Sequence, residues 1–190
     1  MNISDYADKF AALNTGKVGD HRRPHKPVML LAIMALAESG RLTENRIEYG
    51  PELLEFFNRY FEVVQEADDQ PSAYNPFYYL KSDGFLYHQP VVGMEQAYPA
   101  LRPRSARNLP EFVDYAYLDD ELFELLLEPQ SREELRQVLL AAYFADHRED
   151  LLARIDEDHA VAAYQEVLEN QADGNAQEVL EQPPEYVRDT

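Results

Sequence analysis

Residues 27–37 have the sequence PVMLLAIMALA, which contains the longest apolar run in the chain, Val28–Ala37. Proline is well placed in the first turn of a helix, since its missing N–H would have no partner there. Gly40 follows the run closely, and glycine ends helices readily. The stretch therefore predicts a helix over Val28–Ser39 that is apolar on all sides, and the elements around such a helix must bury it.

The rest of the chain predicts further helices around this central one. Each is marked by an amphipathic pattern or by a helix-start signal. The predicted segments are Asp5–Leu13, Pro51–Gln65, Glu121–Glu128, Ser131–Ala145, Glu149–Ile155 and His159–Asn170. The sequence Ser131-Arg132-Glu133-Glu134 matches a capping box, and Asp119 or Asp120 is placed to cap the helix before it.

Extended structure is predicted for two short parts of the chain. The aromatic runs Phe77–Leu80 and Phe85–His88 are joined by Lys81-Ser82-Asp83-Gly84, and Asp-Gly between such runs predicts a β-hairpin. Arg41–Tyr49 predicts a brief extended piece, whereas the proline-rich segment Gln89–Pro110 predicts loops. The expected fold is mainly α: a compact multi-helix domain with a small β-hairpin as its two-stranded element.

The C-terminal segment differs from the rest in composition. From Gln171 onward the chain is polar and acidic and contains Pro183-Pro184. Segments of this kind cannot bury enough apolar surface to compensate for the entropy lost on folding. We therefore expect residues 1–170 to form the folded domain and residues 171–190 to form an acidic linker or tail.

The chain is strongly acidic, with 36 Asp and Glu against 17 Lys and Arg and a net charge of −19. Solubility or adaptation to high salt explains so negative a net charge whatever the function of the protein. A negative net charge by itself disfavours contact with phosphates. The positive charges are nevertheless grouped. Gly16–Pro27 is mostly basic, and Arg102, Arg104 and Arg107 follow one another without an acid between them. Two local basic patches on an acidic body can still hold a nucleic-acid backbone.

Several other function classes find no support in the sequence. Cysteine is absent, which excludes disulfides and thiolate metal sites. The longest apolar run is far shorter than the about 20 residues of a membrane span, so we expect a soluble protein, and the absence of cysteine fits a reducing cytoplasm. Pro24 lies between His21 and His25 and breaks the helical geometry of a metal site. Neither a Gly-x-Ser-x-Gly elbow nor a glycine-rich phosphate loop occurs, so we expect a binding domain without catalytic residues, metal or cofactor.

Four stretches taken together resemble a known bacterial family. They are His21–Leu31 (HRRPHKPVMLL), Gly40–Ile47 (GRLTENRI), Asn75–Phe85 (NPFYYLKSDGF) and Leu118–Phe123 (LDDELF). Their order and spacing are similar to those of the sulfur-binding domains of modification-dependent HNH restriction endonucleases, over about Tyr6–Phe144. The resemblance implies a mostly helical domain that binds double-stranded phosphorothioate DNA, in which sulfur replaces one non-bridging phosphate oxygen.

The resemblance also implies a nuclease on the C-terminal side of the domain. In this family an HNH nuclease comes after the DNA-reading domain, and Val187–Thr190 resembles the junction in front of it. The chain is therefore expected to be the targeting module of a type IV-like restriction endonuclease. Cutting activity is expected in a nuclease domain that this chain lacks.

The candidate site follows from the same resemblance. The sulfur pocket is expected to consist of Lys26, Tyr74, Asn75, Pro76 and Tyr79, with His25 and Lys26 flanking the modified phosphate. Sulfur is larger, softer and more weakly hydrated than oxygen, so an apolar cup would favour it. The DNA-binding residues are expected to be His21, Arg22, Arg23, His25, Lys26, Lys81, Ser82, Arg102, Arg104 and Ser105. The last three belong to a loop expected to reach neighbouring bases, where an arginine can bind both acceptors of guanine.

One part of the pattern differs from the family. Its members are expected to have Tyr-Pro followed by a small residue three places after the proline, whereas here Asn75 precedes Pro76 and Tyr79 occupies the small position. A domain that binds another DNA modification, or unmodified DNA, stays open as an alternative. So does a protein-interaction module in which the acidic helices of Ser131–Asn170 contact a basic partner.

Overall fold

The central apolar helix is α2, His25–Glu38, in a computed structural model that describes residues 1–180. Every residue of α2 from Lys26 to Ala37 is buried, as its composition predicts. The helix begins earlier than predicted, because the Val28 N–H already donates to the Pro24 carbonyl at 2.9 Å. Pro27 is tolerated in this first turn, where the N–H groups have no intrahelical acceptor.

Six further helices are present among the described residues. They are α1 (Ile3–Ala11), α3 (Pro51–Val64), α4 (Tyr74–Tyr79), α5 (Asp120–Leu127), α6 (Pro129–Tyr143) and α7 (Arg148–Leu180). Four of them, α3, α4, α5 and α6, pack against α2, and α1 packs on α5 and α6. The predicted mainly α, multi-helix fold with a small two-stranded sheet is confirmed.

Two helix boundaries differ from the prediction for local reasons. The side chain of Glu128, rather than that of Ser131, caps α6 by accepting hydrogen bonds from the N–H groups of Gln130 and Ser131 at 3.0 and 2.6 Å. Pro129 then occupies the first helical position. The C-terminal helical turns, predicted as two separate segments, belong to the single helix α7.

The predicted hairpin of Phe77–Leu80 with Phe85–His88 is wrong. Phe77 and Tyr78 are both completely buried, whereas a half-buried strand would expose one of two successive side chains. The first run instead forms α4, and a 3-10 helix over Leu80–Asp83 continues it until Gly84, whose φ of +76° ends the helix.

The second aromatic run is extended, but its partner lies far away in sequence. β3 (Leu86–Pro90) pairs antiparallel with β4 (Val113–Leu118). The pairing buries Leu86 and His88 together with Ala116 and Leu118 on one face. A smaller two-stranded sheet pairs β1 (Lys17–Val18) with β2 (His21–Arg22).

The chain divides into two units, Met1–Arg154 and Ile155–Thr190. The first unit contains α1 to α6, both two-stranded sheets and nearly all of the buried core. None of the helices in residues 1–180 combines the length and the apolar character needed to cross a bilayer. The domain boundary expected at residue 170 stays a prediction. Half of the predicted tail, residues 181–190 with the junction-like Val187–Thr190, lies outside the described residues.

Candidate nucleic-acid interface

A pocket of about 370 Å³ opens where the start of α2 meets α4 and the loop after α1. It is far larger than the roughly 10–15 Å³ needed to admit one water molecule. Its lining residues are Asn14, Thr15, Gly16, Arg23, His25, Lys26, Ser72, Asn75, Pro76, Tyr79 and Ser82. Seven of the predicted site residues therefore lie together: Arg23, His25, Lys26, Asn75, Pro76, Tyr79 and Ser82.

The Lys26 ammonium group already has partners inside the protein. Its Nζ lies 2.6 Å from Asp83 Oδ2 and donates to Ser82 Oγ at 3.1 Å. The side chains of Lys26 and Asp83 are only 9% and 6% exposed. The positive charge of Lys26 is therefore balanced by a buried carboxylate, and Lys26 contributes to the pocket mainly as part of its wall.

Asp83 connects three segments that surround the pocket. Its Oδ1 accepts a hydrogen bond from the Asn14 N–H at 2.8 Å while Oδ2 binds Lys26. Its backbone carbonyl lies 3.4 Å from Lys9 Nζ. The carboxylate thus holds the loop after α1 against the start of α2 and the 3-10 helix. Neither α1 nor the loop after it carries a predicted site residue.

His25 lines the pocket as a neutral ring. Its Nε2 donates to the Gln70 carbonyl at 2.7 Å, and the ring packs edge-on against Phe61 with centroids 4.8 Å apart. Burial lowers the pKa of His25, although the hydrogen bond to Gln70 opposes the shift. Its buried Nδ1 has no hydrogen-bond partner within the described residues. His25 therefore positions the segment before α4 and adds no positive charge at neutral pH.

The remaining basic residues before α2 have separate environments. Arg23 Nη1 lies 3.4 Å from Asp69 Oδ1, and 38% of the Arg23 side chain stays exposed. His21 bridges Asp69 and Glu66, at 2.9 and 3.1 Å. Arg22 lies over the ring of Tyr143, 5.5 Å from its centre. Only Arg23 among these three reaches the pocket; His21 and Arg22 line a neighbouring depression with Tyr143.

Of the five residues predicted to form the sulfur pocket, all but Tyr74 line this cavity. Asn75 is held by Ser72, whose Oγ accepts from Asn75 Nδ2 at 3.2 Å. Tyr79 is 41% exposed, and its ring packs edge-on against Tyr78 at 5.0 Å. The pocket keeps its volume with Tyr79 in place, so this side chain forms a wall and does not fill the cavity.

The predicted residues Lys81 and Arg102 lie outside this pocket and meet at Tyr78. Lys81 Nζ donates to Tyr78 Oη at 2.8 Å, and Arg102 Nη1 donates to the same oxygen at 3.2 Å. Arg104 and Ser105 are exposed. The Arg104 N–H donates to Asn108 Oδ1 and Ser105 Oγ accepts from the Asn108 N–H, at 3.0 and 3.2 Å.

Sequence reasoning missed four lining residues: Asn14, Thr15, Gly16 and Ser72. The first three come just after the helix α1, and Ser72 precedes α4, positions that a sequence marks only as turns. Among the described residues, no group of three or more His, Asp or Glu is placed to hold a metal ion.

Comparison with known protein families assigns the chain to one of them. The model of the ScoMcrA-like DNA sulfur-binding domain matches residues 3–158, which include the whole pocket. No curated protein matches the chain. The match confirms the resemblance seen in the sequence and describes a binding module. The chain belongs to the ScoMcrA-like DNA sulfur-binding domain family.

Proposed function

We propose that the pocket binds the sulfur-substituted phosphate of double-stranded phosphorothioate DNA in the cytoplasm. The chain would then be the targeting module of a type IV-like restriction endonuclease whose cutting activity resides in a separate HNH domain. The observation that carries the proposal is one cavity that combines an apolar wall with polar groups, inside the segment matched by the sulfur-binding family.

The apolar wall supplies the preference for sulfur. Pro76 and the ring of Tyr79 lie on one side of the pocket, and neither side chain offers a hydrogen bond to an atom pressed against the ring face. A phosphate oxygen there would lose hydration without replacement, whereas sulfur has less hydration to lose. Each about 1.4 kcal/mol of this difference gives tenfold selectivity.

Arg23 is the best candidate for neutralising the bound phosphate. Lys26 is balanced by Asp83, and His25 is neutral. Arg23 is partly exposed, and its contact with Asp69 is long, at 3.4 Å. Asn75 and Ser82 add an amide and a hydroxyl at the pocket wall. The proposed division of roles is that Arg23 supplies charge while the Lys26–Asp83 pair holds the pocket in shape.

A titration with two duplexes, identical except for one sulfur-for-oxygen replacement, tests the proposal. Much tighter binding to the sulfur duplex at fixed moderate salt is the expected result. Equal binding to both duplexes would retain DNA binding but reject sulfur recognition, leaving a different DNA modification or unmodified DNA as the target. The match to the sulfur-binding family favours the first outcome.

One observation favours a second candidate, contact with a protein. Helix α7 exposes four large apolar side chains, Val161, Tyr164, Val167 and Leu168, among acidic residues. Such a row suits an amphipathic basic partner. Complete absence of DNA binding at every salt concentration would favour this role, because a DNA-binding domain loses affinity steeply as salt rises but binds at low salt.

A further inference from the structure

The Tyr78 hydroxyl is fully used in holding two cations. It donates to the Leu101 carbonyl at 2.7 Å and accepts from Lys81 and Arg102 at 2.8 and 3.2 Å. A phenol has one donor and two acceptor positions, so this oxygen has no bonding capacity left. The Tyr78 side chain is completely buried, and the two cations therefore share a rigid anchor.

Arg102 is attached through one nitrogen only. Its Nη1 donates to Tyr78 Oη and to the carbonyls of Pro99 and Leu101, at 3.0 and 2.7 Å for the carbonyls. Its Nε and Nη2 make no hydrogen bond within residues 1–180. These two nitrogens form the edge of a guanidinium that can bind two oxygens of one anion side by side.

Lys81 shares the Tyr78 hydroxyl with Arg102 and is held by aromatic groups. Its Nζ is 4.0 Å from the ring centre of Tyr78 and 4.7 Å from that of Tyr98. Its hydrogen-bond acceptors are the two tyrosine hydroxyls, at 2.8 and 3.3 Å. A partly exposed ammonium with three N–H donors keeps one donor for a ligand.

No carboxylate balances this pair of charges in the described part of the chain. Neither Lys81 nor Arg102 forms an ion pair with an acid there. Burial raises the pKa of Tyr98, while the hydrogen bond from Lys81 and the charges of Lys81 and Arg102 oppose the shift. Two like charges anchored to one neutral oxygen in a chain of net charge −19 mark a place suited to an anion.

We propose that Lys81 and Arg102 bind a second phosphate of the same DNA, with Tyr78 as the positioning residue. The identity of the ligand as DNA rests on the proposed function. The location suits it, since Lys81 lies between Tyr79 and Ser82, which both line the pocket. A paired positive charge favours an anionic phosphate over a neutral base, so this inference assigns Arg102 to the DNA backbone rather than to guanine.

Single methylphosphonate substitutions test the subsite, because each removes the charge of one chosen phosphate. They are placed one at a time around the central linkage, in both the sulfur and the oxygen duplex. The proteins are wild type, Lys81→Gln, Arg102→Gln and Tyr78→Phe, which keeps the ring and removes the hydroxyl. Arg41→Gln is the control, because Arg41 is an exposed arginine that lies over Phe56, outside both basic patches.

At one position the neutral linkage should weaken binding by wild type and by Arg41→Gln about tenfold, the effect of one charge-assisted contact. Lys81→Gln, Arg102→Gln and Tyr78→Phe should bind the duplex without methylphosphonate more weakly than wild type does. Their affinity should no longer change when the linkage at this position is made neutral. If Tyr78→Phe weakened binding only by disturbing the fold, its binding would still respond to the neutral linkage at this position. Sensitivity retained in Arg102→Gln, together with a relaxed base preference, would overturn the inference in favour of base contact.

The two proposals fail in different ways. Sulfur preference without any position-specific effect of methylphosphonate would reject the second phosphate site alone. Equal binding of the sulfur and oxygen duplexes, with the position-specific effect present, would reject sulfur recognition alone. Absence of DNA binding by wild type would overturn both.

Discussion

Lys26 and Asp83 form a buried ion pair with Nζ and Oδ2 2.6 Å apart, although 57 positions separate them in the sequence. The pair joins the first turn of α2 to the 3-10 helix Leu80–Asp83 at the edge of the pocket. Asp83 also binds the Asn14 N–H, so the same carboxylate shapes both sides of the opening. Lys26, which was predicted to flank the modified phosphate, is thus also part of the framework of the pocket.

Replacing Lys26 with Ala should therefore destabilise the fold. It would leave the Asp83 carboxylate buried without its counter-charge, and breaking such a pair typically costs about 3–5 kcal/mol. The double variant Lys26→Met with Asp83→Asn should recover most of the loss, because no uncompensated charge remains. Urea denaturation of the three proteins measures the difference. A loss below about 1 kcal/mol for Lys26→Ala would mean that the pair behaves like an exposed one.

Replacing Arg23 with Gln should weaken binding to all DNA sequences alike. If Arg23 neutralises one phosphate, the slope of log affinity against log salt should fall by about 1. Arg41→Gln is a suitable control, since Arg41 follows the far end of α2, where it lies over Phe56. Titrations at several salt concentrations provide the slopes. An unchanged slope in Arg23→Gln would remove this residue from the proposed site.

Replacing Tyr79 with Ser should reduce selectivity for sulfur more than it reduces affinity for ordinary DNA. The change removes the aromatic wall, and a loss of about 1.4 kcal/mol in the sulfur complex lowers the selectivity tenfold. Tyr87→Ser is a matched control, because Tyr87 is 40% exposed against 41% for Tyr79 and lies on β3. Competition between the two duplexes measures the ratio. An increased ratio would mean that Tyr79 obstructs the sulfur.

The stability of the domain should fall between pH 7 and pH 5 because of His88. Burial lowers the pKa of His88 from its ordinary value to about 4, and the nearby Lys81 charge adds to the shift. Its neutral ring can accept from Tyr98 Oη at 2.7 Å and donate to the Phe77 carbonyl at 3.1 Å. The unfolded chain takes up the proton first as pH falls below about 6.5.

The neutral form of His88 therefore contributes fully to the free energy of unfolding above about pH 6.5. This contribution decreases as the pH falls towards the pKa of about 4 that His88 has in the folded protein, and the loss reaches about 2 kcal/mol at pH 5. Urea denaturation at pH 7 and pH 5 measures the loss, with His88→Gln as the comparison, since glutamine can both donate and accept. The free energy of unfolding of His88→Gln should fall by about 2 kcal/mol less than that of wild type between pH 7 and pH 5. Equal losses in the two proteins would show that other groups cause the pH dependence.

Much of the fold could be predicted from local patterns. The apolar run Val28–Ala37 could only be a buried helix, and the amphipathic spacing over Pro51–Gln65 predicted α3 to within one residue of its end. Local signals failed where long-range pairing decided the outcome. Asp83-Gly84 looks like a hairpin turn, yet Asp83 is held by Lys26 and Asn14, and β3 takes β4 as its partner.

The sequence by itself determined the fold class, the central helix and the family, because helix periodicity, caps and motif order are local properties of the chain. Seven of the site residues predicted from it line the pocket. Only the tertiary structure decided which cations are balanced by buried carboxylates and which are held by a neutral hydroxyl. Lys26, Arg23 and Lys81 carry the same charge in the sequence. In the folded chain, Lys26 contacts Asp83, Arg23 contacts Asp69, and Lys81 donates to the neutral hydroxyl of Tyr78. Charge compensation depends on distance and burial in space, so the division of roles among these residues followed from packing.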